Sequence, residues 1–122
     1  MKLNLYILGE SKKLGLNNEK ATMEEIHSKL HEEAEEVEYE FEKLRYYKEI
    51  NSEKYYETRI KFGQEVLDLI QISIAALMLL VKEGLDIRIL LFNHNRKLIT
   101  KRKWKPLKTI QLNIKKYRGE IF

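Results

Sequence analysis

Two carboxylates three residues apart, Glu65 and Asp68, stand in a stretch otherwise almost free of charge: between Val66 and Val81 the only charged side chain is Asp68. On a helix that spacing puts both on one face, with Gln64 and Gln71 continuing the polar line. Two carboxylates so placed repel each other, and burial penalises both, so without a counter-charge at least one of them holds a proton at neutral pH. A divalent cation removes the conflict, because carboxylate oxygens are hard ligands that suit magnesium. A matching pair lies upstream. At about 100° per residue from Leu30, the apolar stripe covers about −40° to +40°, with Glu33 at about −60°, Glu40 at about −80° and Glu36 at about −120°. Glu32, at about −160°, points toward solvent in the same geometry. If the two segments fold back on each other as an antiparallel hairpin, Glu33, Glu36, Glu65 and Asp68 line one cleft as candidate metal ligands. For Glu35, Glu38 and Glu42 the plain reading of a solvated helix face applies.

The elements that must position these groups are helices. Thr22-Met23-Glu24-Glu25 fits a capping box, in which the threonine and the glutamate three residues on satisfy free backbone N–H groups. Met23, Ile26, Leu30, Ala34, Val37, Phe41 and Leu44 then recur at steps of three and four, an amphipathic helix ending near Tyr47 to Ile50. Asn51-Ser52 breaks it, and Ser52 is read as the cap of a second helix that runs to about Lys82 and stops at Gly84. From Val66 onward that helix is apolar on nearly every side, which places it at the centre of a bundle or of a subunit interface. Asp86 is read as the cap of a third helix through about Lys103, with Ile87, Leu91, His94 and Leu98 along one face and Pro106 ending it. Thr109 to Lys115 and Lys2 to Leu8 alternate apolar and polar residues, suiting short extended strands that could pair. The fold expected is all-α: a helical-hairpin bundle with short extended termini.

The bulk numbers agree with one domain over residues 1–122. With 43% hydrophobic and 34% charged residues, one proline and five glycines, the balance is that of a helical globular chain. No cysteine is present, which excludes disulfides and thiolate metal sites. Met1 to Glu10 holds only a short apolar run and no small-residue cleavage site, so no signal peptide is expected. The mainly apolar stretch Leu69 to Val81 is shorter than the roughly 20 residues of a membrane span. A cytoplasmic protein with no membrane partner is the expectation. Charge is divided: residues 1–83 carry 12 Lys/Arg and 17 Asp/Glu, net −5, and residues 84–122 carry 11 and 2, net +9.

The basic third supports a non-enzymatic alternative, a helical nucleic-acid- or partner-binding protein using Arg96, Lys97, Lys101, Arg102, Lys103, Lys105 and Lys108. His94 reads as a packed or partly buried histidine. Lys97 and Arg102 do not share a face of one straight helix, so the helix ends or bends before Arg102, or the two serve different sites. Trp104 and Tyr117 are candidates for stacking on a base, or for docking contacts. Glu24 and His27 form one ExxH, but a di-iron bundle needs a second such pair and two further glutamates.

Glu32-Glu33-Ala34-Glu35-Glu36, then 28 residues, then Glu65-Val66-Leu67-Asp68, resembles the EExxE…ExxD signature of the MazG-like, all-α nucleoside triphosphate pyrophosphohydrolases. Lys29-Leu30-His31 before it and Leu69-Ile70 after it resemble the family's setting for these motifs. His94-Asn95-Arg96-Lys97-Leu98 with Arg102 resembles the Asn-x-Lys-Leu…Arg segment that follows the metal motifs. The resemblance covers residues 22 to 104; the 28-residue gap is at the long end of the family's pattern, and residues 1–21 and the basic arm 105–122 match nothing in it. It implies cleavage of a (d)NTP between the α and β phosphates, giving a (d)NMP and pyrophosphate. By position, Glu33, Glu36, Glu65 and Asp68 would ligate Mg²⁺, with Mn²⁺ as a substitute. Glu32 and Glu33 are the catalytic candidates, Glu32 supporting the metal shell or orienting the water. Lys97 and Arg102, with Asn95, would hold phosphate oxygens. The family also implies a homodimer or homotetramer.

Overall fold

The computed structural model describes residues 3–119. The chain is mainly helical, and its contacts divide it into two compact units, Met1–Ile87 and Arg88–Phe122. The first unit is built on two long helices, α1 (Met23–Tyr47) and α2 (Ser52–Lys82), which pack on each other as a hairpin.

Both helices start where a side chain can satisfy the first free N–H groups. The Thr22 hydroxyl accepts from the Glu25 N–H at 3.2 Å. The second cap differs from the sequence expectation: Asn51 holds the extended conformation and its side-chain oxygen accepts from the Lys54 N–H at 3.0 Å, while Ser52 is the first helical residue. Asparagine fits because its carbonyl reaches the third N–H from a β-region backbone, and the chain has only a four-residue link, 48–51, in which to turn. At the far end, Gly84 takes φ of 104°, a left-handed conformation that ordinary side chains resist. The Gly84 and Leu85 N–H groups then close onto the Val81 and Leu80 carbonyls at 2.9 and 3.0 Å, which satisfies two of the last free acceptors of α2.

The line along which α1 meets α2 is not the centre of its apolar stripe. The buried residues of α1 are Ile26, Glu33 and Glu40, spaced seven apart. Leu30, Ala34 and Val37 are only half-buried and Phe41 is exposed, although its ring still lies 6.0 Å from that of Phe62. On α2 the one buried residue is Thr58, a heptad before Glu65. Antiparallel order therefore sets Glu40 at the level of Thr58 and Glu33 at the level of Glu65. A seven-residue step keeps one residue facing the partner helix, with a drift of about 20° per heptad in a straight helix.

From Leu69 to Val81 no residue of α2 is buried; Ile70 is exposed and the others are half-buried. By length and composition α2 could cross a membrane. The surrounding bundle expected for this helix is thus not supplied by the described residues.

The extended pairing expected between the two ends does not form among the described residues; Lys2 lies outside them. The strands seen are the two-residue β1 (Glu10–Ser11) and β2 (Leu16–Asn17), an antiparallel ribbon pairing Glu10 with Asn17 and Ser11 with Leu16. Gly15, at φ of 67°, makes its turn. The N-terminal residues lie on the last turns of α2: the Gln71 side-chain amide donates to the Tyr6 carbonyl, and the Lys82 ammonium to the Glu19 carbonyl at 2.7 Å.

In the second unit, α3 (Ile87–Arg96) gives way to a π-helical turn over Lys97–Lys101. The helix ends there, before Pro106, with the Arg102 N–H on the Lys97 carbonyl at 3.1 Å and Lys103 at φ of 58°. Residues 103–119 have no regular structure and are exposed throughout. Thr109 to Lys115 is therefore extended at most, not paired.

The revised cap gives a direct expectation. Asn51→Ala should cost about 1 kcal/mol, read as a lower urea midpoint at constant m, whereas Ser52→Ala should shift it by a few tenths at most.

Candidate metal centre

The heptad positions that join the helices carry acid where a hydrophobic hairpin would carry leucine. One carboxylate oxygen each from Glu33, Glu36 and Glu65 lie within 4.8 Å of one another. Glu33 is 8% exposed, Glu65 is half-buried and Glu36 opens to solvent. Two of the buried oxygens, Glu33 Oε2 and Glu65 Oε2, have no hydrogen-bond partner, and neither does Glu40 Oε2 two turns further along α1. A buried carboxylate oxygen without a donor is costly, and a cation between Glu33, Glu36 and Glu65 is the partner whose chemistry fits.

Lys29 supplies the protein's own answer. Its ammonium lies 3.4 Å from both Glu32 Oε1 and Glu33 Oε1, one turn upstream of the acidic group. Burial works to lower its pKa, but the bonds to Glu33 and Glu32 and the charges of both outweigh that, so it sits above its ordinary value. Glu33 is also pushed up. Burial is the main cause, the charge of Glu36 adds to it, and Lys29 only partly offsets the two. In the sequence Lys29 reads only as part of the setting of the motif, with no role of its own. The signal was there in its i+3 and i+4 spacing to Glu32 and Glu33.

Asp68, expected as a fourth ligand, is exposed and does not join the three-oxygen group. Three residues turn it by about −60° from Glu65, off the seam that faces α1. Glu32 is exposed, as its angle indicated, and is held by Lys29. His31 pairs with Glu35 at 3.1 Å on the solvent side.

Asn95, Lys97 and Arg102 all belong to the second unit and are exposed. His94, read as packed or partly buried, is exposed as well; α3 buries no residue, so no face of it shields a histidine. The π turn changes the relation of the two cations. With i→i+5 bonding, five residues close roughly one revolution, which brings Lys97 and Arg102 toward the same side.

No family model matches the chain, and neither a curated protein nor a solved structure does. The likeness to the MazG-like enzymes therefore stands on the motif residues themselves.

The raised Glu33 has a signed consequence. A carboxyl held above its ordinary 4.5 binds a proton more tightly in the folded chain, so its contribution to stability is full below that value and is lost as pH rises through the folded value. Glu33→Gln should accordingly raise the Tm of the metal-free protein at neutral pH, with the difference from wild type vanishing below about pH 4.5. If the group holds Mg²⁺, the ion should raise the Tm of the wild type and leave that of the same variant unchanged, as read by calorimetry with and without EDTA.

Proposed function

We propose that the chain is a Mg²⁺-dependent nucleotide pyrophosphohydrolase that cleaves a (d)NTP between its α and β phosphates, working in the cytoplasm as a homodimer or homotetramer. The observation that carries the reading is the convergence of Glu33, Glu36 and Glu65 with two buried oxygens left without donors. The EExxE…ExxD order, matched on both helices, supports the same reaction class.

In this reading Glu33, Glu36 and Glu65 hold the ion, and Asp68, exposed one turn along α2, reaches it through water or on closing. Bound magnesium would supply charge neutralisation on the phosphate oxygens and acidify a water. The residues of the chain divide the remaining work. Buried Glu33 and half-buried Glu65 each direct one oxygen into the hairpin seam. Glu32, outside the seam, orients the attacking water or accepts its proton. Lys29 holds Glu32 and Glu33 in register until the site fills. Lys97 and Arg102 are the cations, and Asn95 the neutral amide donor, that the resemblance assigns to phosphate oxygens, and the π turn brings the two cations toward one side of their own helix. Little else is required, since phosphoryl transfer depends mainly on positioning and charge.

A second reading has its own observation. Residues 103–119 are exposed, basic and unstructured, with Trp104 exposed among them. That suits polyanion binding without turnover.

The two readings separate in one assay, release of pyrophosphate from a panel of NTPs and dNTPs with Mg²⁺ or EDTA. Release should require the metal. Glu36→Ala or Glu65→Ala should lower kcat by about 10²-fold or more, and Asp68→Ala should cost less than Glu65→Ala. Lys97→Ala or Arg102→Ala should act mainly on KM. No release from any nucleotide by folded protein, together with salt-sensitive retention on DNA, would favour the second reading.

A further inference from the structure

The second unit gathers one sign of charge and leaves apolar side chains uncovered among it. Apart from Glu120, every Asp and Glu of the chain belongs to the first unit. Residues 88–119 hold 11 Lys and Arg and no acid. Within this segment α3 is apolar on two sides. At about 100° per residue Ile87 and Leu91 point one way, and Ile89 and Phe92 roughly the opposite way. Ile87 and Leu91 are half-buried, as is Leu98 beyond them, so that side is partly covered within the chain. Ile89 and Phe92 are 60% and 65% exposed. Arg96 lies between these two in direction, and its guanidinium stands over the Phe92 ring, 5.9 Å from the centroid. The same mixture continues past the π turn. Ile99, Trp104, Leu107 and Ile110 are exposed, with Lys101, Lys103, Lys105 and Lys108 interspersed.

We propose that residues 87–119 are a peripheral anchor for an anionic bilayer surface, with α3 lying in the plane of the headgroups. Apolar side chains set among cations narrow the choice of occupant. A second copy of the segment is repelled, because it brings the same 11 charges. Nucleic acid would satisfy the cations, but it stacks its bases on aromatic rings and gains little from bare Ile89, Ile99, Leu107 and Ile110. An anionic leaflet uses both kinds of residue. Its headgroups take the lysines and arginines, and the outer part of its acyl region takes the aliphatic and aromatic chains.

Two residues fit the boundary between headgroup and hydrocarbon. Trp104, 67% exposed, has a large apolar ring with one N–H to leave at the polar level. Arg96 can hold its guanidinium among phosphates while its stem and the Phe92 ring beneath it enter the apolar layer. A surface contact of this kind needs no spanning segment. It is also independent of the reaction assigned to the carboxylates, which lie in the first unit.

Trp104 is the single tryptophan of the chain, so its emission reports the contact directly. The full chain should co-sediment with phosphatidylcholine–phosphatidylglycerol vesicles at low salt and not with phosphatidylcholine alone. Its emission should shift to the blue and be quenched by lipids with brominated acyl chains. Lys115→Gln combined with Lys116→Gln should weaken the partition about 25-fold, about five-fold for each cation lost. Phe92→Asp, at an exposed position, should weaken it about ten-fold or more while the helical CD signal is kept. Lys97 and Arg102 stay in place in every variant. Partition indifferent to both variants would assign the contact to α2 and overturn the proposal. So would no partition onto anionic vesicles at low salt, equal partition onto uncharged ones, or a Trp104 that brominated lipid does not quench. A shift of Trp104 emission with single-stranded DNA but not with vesicles would overturn it in favour of nucleic acid.

Discussion

The hairpin is held at the position where it is least comfortable. Glu33 of α1 and Glu65 of α2 occupy the line along which the helices meet, and both direct an oxygen into it without a donor. Everything else in the first unit can be read as making that arrangement tolerable. Thr22 and Asn51 cap the helices that carry the acids, Phe41 and Phe62 tilt together beside the seam, and Lys29 closes its upstream end. The seam gives up part of the hydrophobic stabilisation that leucines there would contribute. It gains two carboxylates that each direct an unpartnered oxygen into the seam.

Much of this was legible in the sequence because it depends on local rules. Helix limits follow from Thr22, the Asn51-Ser52 break and Gly84, each a backbone requirement of one or two residues. The partnership of Glu33, Glu36 and Glu65 follows from periodicity plus the hairpin. Periodicity misjudged which flank of α1 would be buried. The apolar stripe is centred on Leu30, but α2 packs along its edge, on the Ile26–Glu33–Glu40 line. Inter-helix packing chooses a line by the shape of both partners, and the sequence of one helix does not contain that choice. Asp68 failed for a related reason. Sharing a face with Glu65 in the broad sense still leaves an angular difference large enough to miss a group of oxygens a few ångströms wide.

The other departures lie where several conformations are nearly equal in energy. Alternating residues in 109–115 have the composition of a strand, yet a strand needs a neighbour, and the described chain offers none. The N-terminal ribbon forms where Gly15 permits a tight turn rather than where alternation is cleanest. Ser52 and Asn51 are both good caps, and the longer reach of the amide decides between them.

The π turn at Lys97–Lys101 carries a consequence for how this chain can vary. One extra residue is accommodated there in about a single revolution, so Arg102, which caps the helix, stands near the direction that the fourth residue after Lys97 would take in a regular α-helix. In a regular α-helix four steps bring a residue to about 40° from its starting direction and five to about 140°. Deleting one residue inside the turn would therefore keep Lys97 and Arg102 on one side, whereas straightening the turn with its length unchanged would part them. The extra residue and the wider turn compensate each other, and the angular relation of the two cations is lost only when one changes without the other.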